Sequence, residues 1–155
     1  MTFTRIPERG LRGRPMHQIV FTSRASDYFT RQQIRALCEQ AAERNNASAI
    51  TGLLLYDGCR FISAIEGVKE IVASTMTRIA RDRRHFDVII VRDERVGDRQ
   101  FSEWAMSQKL LDDRMSTDAF VGVIKRHVAN VKDVGLQAQM IGFARLAKHV
   151  RYREG

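Results

Sequence analysis

An α+β fold with two helices side by side on one face of a β-α-β-β-α-β sheet is what this 155-residue chain predicts, on three observations. Short β-branched or aromatic runs alternate with stretches whose apolar residues recur every three or four positions. An Asp57-Gly58 pair sits between two strand-like runs, so the middle strands form a hairpin. Both prolines, Pro7 and Pro15, fall ahead of the first such run, leaving the rest of the chain without the strongest breaker of regular structure.

Each element has its own local reason. Ile19-Val20-Phe21-Thr22 reads as a first strand, ended by the polar turn Ser23 to Asp27. Thr30 with Gln33 three positions on makes a capping box, and Ile34, Leu37, Cys38, Ala41 and Ala42 then line one face of a helix closed by Asn45-Asn46. Ala49 to Tyr56 is a near-continuous apolar run of strand length, which predicts burial on both faces. After the expected type I′ turn at Asp57-Gly58, a returning strand runs from Cys59 to Ile65 and stops at Glu66-Gly67.

A second helix carries Val68, Val72, Met76 and Ile79 on one stripe and ends in Arg81-Asp82-Arg83-Arg84-His85, cations that suit the partly negative carbonyl end. Val88 to Val91 is a fourth strand, residues 92–100 a charged turn, and Trp104 to Ser107 the start of a fifth strand. Two trailing helices are marked by Phe120, Val123, Ile124, Val128 and Val131, then by Leu136, Met140, Phe143, Ala144 and Ala147. This succession is a ferredoxin-like split βαβ with an added strand and two C-terminal helices. A crevice between the paired helices suits a flat aromatic ligand.

Size and composition narrow the classes further. A chain this long should bury about 68–70% of its unfolded surface, enough for a core without metal or disulfide staples. No apolar run approaches the ~20 residues that span a bilayer, and no secretory stretch follows Met1, so a cytoplasmic location without membrane is expected. Cys38 and Cys59 form no C-x-x-C pair, and His17, His85, His127 and His149 lack metal-ligand spacing. No nucleophile elbow or phosphate loop occurs, so no enzyme is expected.

The net charge of +8 sits at the ends. Residues 1–16 form a basic arm, with Arg5, Arg9, Arg12 and Arg14 against Glu8, while residues 114–155 hold eight Lys and Arg against three Asp and Glu. The body between is neutral. Clustered cations can attract phosphate backbones. The arm lacks aromatic interleaving, however, so a nucleic-acid adaptor is the weakest of three functional readings.

Ile50-Thr51-Gly52-Leu53-Leu54-Leu55-Tyr56, Ile65-Glu66-Gly67, Arg81-Asp82-Arg83-Arg84-His85 and Phe101-Ser102-Glu103-Trp104-Ala105-Met106, in that order, resemble the BLUF family of blue-light flavin sensors. The resemblance divides the chain into an arm at 1–16, a BLUF-like domain at 17–113 and a helical extension at 114–155. It implies FAD or FMN, with the isoalloxazine ring held between the two core helices. Asn45 matches the family's ring-edge amide, Leu37 and Ile79 its apolar walls, and Arg44 and Arg84 the groups near the flavin's phosphate chain; Ser23, Phe21 and Ser63 complete the cofactor set. Trp104 and Met106 match the output strand, where core packing is the plainer role.

The family's light reaction uses a tyrosine on the first strand and a glutamine on the third, and Phe21 and Ser63 stand in those places. Phenylalanine has no phenolic proton, and serine is too short and lacks the amide's paired donor and acceptor. The usual photocycle is therefore expected to be lost. A missing polar contact to the ring edge also lowers flavin affinity, by about 0.5–1.5 kcal/mol. Trp104, Tyr28 and Tyr56 remain as redox-active side chains. The resemblance implies a regulatory protein acting on a protein partner, with self-association through the trailing helices unless the sheet's open face takes them. The alternative is a flavin-free interaction module built on the same scaffold.

Overall fold

A computed structural model describes residues 15–27, 29–101, 104–106 and 116–146. The arm at 1–14, Tyr28, Ser107, the boundary at 113/114, Ala147 and the cations at 148, 151 and 153 lie outside the described residues. The elements are β1 (Met16–Ala25), α1 (Arg31–Ala47), β2 (Thr51–Tyr56), β3 (Arg60–Val68), α2 (Lys69–Ala80), β4 (His85–Val96), β5 (Trp104–Met106), α3 (Thr117–His127) and α4 (Val134–Leu146). The five strands form one sheet in the order β4-β1-β3-β2-β5, antiparallel except for β2 beside β5. The first four strands keep the ferredoxin-like order, as the alternation of patterns predicts.

Local chemistry places the ends of the elements, with four corrections. Thr30 Oγ1 accepts the Gln33 N–H at 3.1 Å while Gln33 Oε1 accepts the Thr30 N–H at 2.9 Å, so the capping box forms. Asn45-Asn46 does not end α1; the helix runs on to Ala47, and the left-handed residue is Ala49, with φ 55°. The Asn45 side chain is buried, and the Asn45 backbone carbonyl accepts the Ile50 N–H at 2.9 Å.

The hairpin turn is not type I′, because only Gly58 has positive φ. Instead Asp57 Oδ1 accepts the Cys59 and Arg60 N–H groups at 3.0 and 2.7 Å, and its other oxygen takes the Arg60 guanidinium. A carboxylate that satisfies two turn amides replaces the backbone geometry that a tighter loop would need.

β3 continues through Glu66-Gly67 to Val68, which caps α2 rather than joining its stripe. Gly67 is required there: a Cβ would lie 2.8 Å from Ile50 Cδ1. β4 extends through Val96, so most of the expected charged turn is strand. Two irregularities in its pairing with β1 accommodate the extra length, one of them beside Asp87 in the left-handed region.

The sheet is covered on both faces. α1 and α2 lie on one, over Ile19, Phe21, Ile50 and Ile65. α3 and α4 lie on the other, where Phe120, Ile124, Leu136 and Met140 bury against Val20, Leu53, Leu55, Ile62 and Ala64. This explains the apolar run in β2, buried on both sides, and it gives the stripes of the trailing helices their partner within the chain.

Ser116 caps α3 through the Ala119 N–H, and Asp133 Oδ1 accepts the Leu136 N–H at the start of α4. Gln137 Nε2 donates to the carbonyls of Val128 and Val131, and the Arg60 guanidinium lies 4.7 Å over the Phe143 ring. The α3–α4 pair is thus held by buried apolar area. Leu136→Ala is expected to cost about 2–5 kcal/mol in denaturant unfolding, because the emptied site is enclosed by sheet and helix and cannot collapse fully.

Candidate functional site

The cleft between α1 and α2 is a crevice of about 750 Å³ including its open mouth. Its floor comes from alternate residues of the central strands. On β1, Phe21 faces the helices; on β3, Phe61 and Ser63 do the same, and the register sets Phe21 directly opposite Ser63. Leu54 of β2 lies on the other side of Ser63. The walls come from a single face of α1, where Leu37, Ala41, Arg44 and Asn45 recur at helical spacing, and from Ile79 at the end of α2.

Polar groups are few and unevenly satisfied. Asn45 is 5% exposed and lines the crevice, yet its side-chain amide makes no hydrogen bond among the described residues. Its amide atoms open onto the crevice, where they are free to meet a ligand with a complementary edge. Ser63 is the reverse case: its hydroxyl donates to the Leu53 carbonyl at 3.0 Å, inside the sheet. Phe21 is buried and has no polar atom to add.

Ser23 is buried at the inner end, where its Oγ lies 2.8 Å from His85 Nδ1. His85 Nε2 lies 2.6 Å from the Ile79 carbonyl and must donate to it, so in the neutral ring Nδ1 accepts the Ser23 proton. The imidazole stands edge-on to both Phe21 and Phe61, with centroids 6.5 and 6.3 Å away. It ties the end of α2 to β1 and closes the crevice floor.

The mouth is basic. Arg44 and Arg78 line it and form no ion pair among the described residues. Arg84, expected beside Arg44, is bound to Asp82 through two nitrogens and donates to Gln40 Oε1 at 3.3 Å, bridging to α1. The hydrogen bonds from Arg84 to Asp82 hold the Asp82 carboxyl below its usual range and raise the Arg84 guanidinium above its own. Beyond the crevice, Cys38 is buried, which pushes its thiol up to about 11 and leaves it unreactive.

Of the sequence-predicted residues, Leu37, Arg44, Asn45, Phe21, Ser63, Ile79 and Arg84 line the crevice, and Ser23 reaches it through His85. Trp104 and Met106 sit on β5, in register with Gly52 and the crevice-lining Leu54. Tyr56 is one layer behind: its ring lies 4.8 Å from Phe61, and its hydroxyl donates to the Gly58 carbonyl. Sequence reasoning missed Ala41, Arg78, Phe61 and the role of His85. Helical spacing from Leu37 and the two-residue period from Ser63 would have marked Ala41 and Phe61, but no local signal marks His85, whose partners are 6 and 62 residues away.

Comparison with known proteins agrees with this arrangement. Residues 16–107 match the family model described as BLUF, sensors of blue-light using FAD. A photoactivated adenylate cyclase subunit beta-like protein of Euglena gracilis is 32% identical over 90 residues, which are 57% of this chain and 10% of that protein. The blue light- and temperature-regulated antirepressor BluF of Escherichia coli is 30% identical over 71 residues, 46% of this chain and 18% of that one. The chain thus spans about a tenth to a fifth of the length of these relatives.

Among solved structures, the BLUF domain of BlrP1 superposes with a TM-score of 0.66 at 25% identity, covering 84% of this chain and 88% of that one. Klebsiella pneumoniae BlrP1 with FMN and cyclic diGMP superposes with a TM-score of 0.65 at 26% identity, covering 81% of this chain and 34% of that one. With the helix-flanked crevice, the sheet order and a match over more than half its length, this chain belongs to the BLUF family.

Proposed function

We propose that this chain is a flavin-binding regulatory protein of the BLUF type that lacks the family's usual photocycle. The single observation that carries the reading is the buried Asn45 amide, without a partner among the described residues and aimed into an apolar crevice with cations at its mouth. Leu37, Ala41 and Ile79 would take the two faces of an isoalloxazine ring, Asn45 its polar edge, and Arg44 and Arg78 the phosphate of FMN or FAD. The flavin supplies absorption of blue light. Phe21 has no proton to give, and the Ser63 hydroxyl is already bound to Leu53, so neither can reorganise hydrogen bonds at the ring.

The family match covers the sensor domain, and the Ser23–His85 pair beside the crevice is tied off by the Ile79 carbonyl on the second imidazole nitrogen with Ser23 buried, which supports a binding rather than an enzymatic role. No helix among the described residues is long and apolar enough to cross a membrane, in keeping with work in the cytoplasm. Because α3 and α4 pack on their own sheet, self-association passes to β4. Its outer edge pairs with no strand among the described residues, and Phe86, Ile89, Ile90 and Val91 are 44–58% exposed. A second reading, a flavin-free interaction module, is favoured by the Arg84–Gln40 bridge between the α2–β4 turn and α1.

The absorption spectrum of the purified protein separates the two readings. Flavin bands are expected, and a colourless protein that takes up neither FAD nor FMN overturns the first. Asn45→Ala is expected to weaken flavin binding by about 1 kcal/mol, several-fold in Kd by fluorescence titration.

Blue light is expected to leave the flavin band unshifted in the natural chain, whereas Phe21→Tyr combined with Ser63→Gln brings a reversible red shift. A shifted natural protein, or a silent flavin-loaded double variant, refutes the roles given to these two positions. Ile89→Lys is expected to lower the oligomeric state measured by sedimentation.

A further inference from the structure

The sheet face opposite the crevice holds a carboxyl that the flavin reading does not use. Glu66 of β3 is fully buried. One carboxyl oxygen faces the Gln100 N–H at 2.7 Å and the other faces Gln18 Nε2 at 3.1 Å. Gln100 then reaches onward: its side-chain oxygen accepts the N–H groups of both Lys132 and Asp133, at 2.9 and 3.0 Å. Asp133 holds the Arg92 guanidinium of β4 and caps α4 through the Leu136 N–H. Gly135 gives that guanidinium room, since a Cβ there would lie 2.9 Å from Arg92 Nη2.

One carboxyl therefore sits at the root of a chain of contacts running from the centre of the sheet to the connection between α3 and α4. We propose that Glu66 is a proton-controlled latch: the protonated carboxyl keeps Gln100, and through it Lys132 and Asp133, seated on the sheet, and loss of its proton to solvent favours an opened arrangement in which the carboxylate meets water.

The neutral form satisfies the site. With the Gln18 amide turned, its oxygen takes the carboxyl proton in exchange for the long 3.4 Å bond it accepts from Arg92, which keeps Asp133 and Glu94, while the other Glu66 oxygen still accepts the Gln100 N–H. The ionised form gains from the same N–H groups but loses its water. The charged groups nearest the pocket do not reverse this. Arg99 donates to Thr51 Oγ1, to the Ala49 carbonyl and to the backbone carbonyl of Glu66, while Arg92 of β4 lies between Glu94 and Asp133 and reaches Gln18 Oε1 at 3.4 Å rather than the Glu66 carboxyl. Burial pushes the Glu66 carboxyl from 4.5 up to about 7, against the opposing pull of the Gln100 and Gln18 hydrogen bonds and of Arg99. Asp133, held low by its hydrogen bond from Arg92, stays ionised over the same range.

The sign follows by linkage. A carboxyl near 7 when seated and near 4.5 when in water binds a proton on closing, so closure is favoured at low pH. Opening then rises about tenfold per pH unit between about 4.5 and about 7 and levels off above. The latch is independent of what fills the crevice.

Hydrogen exchange of the Gln100, Lys132 and Asp133 amides in the full chain, corrected for intrinsic base catalysis, tests it. In the natural protein the corrected opening should climb across that window, and in Glu66→Gln it should be flat, since an amide keeps both contacts without a titrating proton. Gln100→Ala should expose Lys132 and Asp133 at every pH. Carbon-13 detection of the Glu66 carboxyl should give a midpoint near 7 and decides the matter even if Glu66→Gln fails to fold. A midpoint below 5, or equal slopes in natural and Glu66→Gln proteins, overturns the latch.

Discussion

The antiparallel register between β1 and β3 sets both working faces of this molecule. Pairing of Met16 with Val68 through to Arg24 with Arg60 places Phe21 opposite Ser63 and Gln18 opposite Glu66. Successive side chains on a strand alternate faces, so the first pair becomes the crevice floor under α1 and α2 and the second lies under the α3–α4 connection. A slip of one residue would exchange the faces, putting Glu66 among the ring-binding walls and Phe21 against α3 and α4. Two-sided burial makes such a slip costly, because Val20, Ala64 and Ile65 are each fully buried, some on one face and some on the other.

Within that frame the crevice floor offers shape more than hydrogen-bonding chemistry. Apolar walls, an inward amide and a basic mouth are all present, and the amide's place follows from where α1 stops. Had α1 ended at Asn45, that side chain would have been spent on the helix terminus. Two further turn residues leave it free to face inward. The polar groups that do remain on the floor are turned away from the cavity: Ser63 toward the sheet backbone, Ser23 and His85 toward each other. A ligand there meets shape and a single amide rather than a hydrogen-bond relay.

On the other face, polarity is concentrated instead of depleted. Glu66, Gln18, Gln100, Arg92 and Asp133 come from β1, β3, β4, the segment after β4 and the start of α4, and each satisfies the next. Buried polar networks of this kind fix one arrangement when every member is satisfied and weaken it when one is not. The α3–α4 pair is thus attached in two ways: by apolar area that does not respond to pH, and by a carboxyl-centred network that does.

Much of the fold was legible in the sequence because the signals are local: the Thr30 capping box, the helical stripe of α1, the two-sided apolar run of β2 and the order of elements. The crevice residues on α1 and the strands were legible for the same reason, since helical and strand periods are properties of a few neighbouring residues. The full length of β4 was missed because it depends on pairing with β1 far along the chain, whereas the hairpin geometry and the end of α1 were misread because the Asp-Gly and Asn-Asn pairs leave open whether a side chain or the backbone closes the turn. What the amino-acid order determined by itself was which residues could share a face. Which faces met, with His85 on Ser23, Glu66 on Gln100, Arg84 reaching Gln40, and α3 with α4 on their own sheet, was decided only by tertiary packing, because burial selects among pairings that local propensity leaves equal.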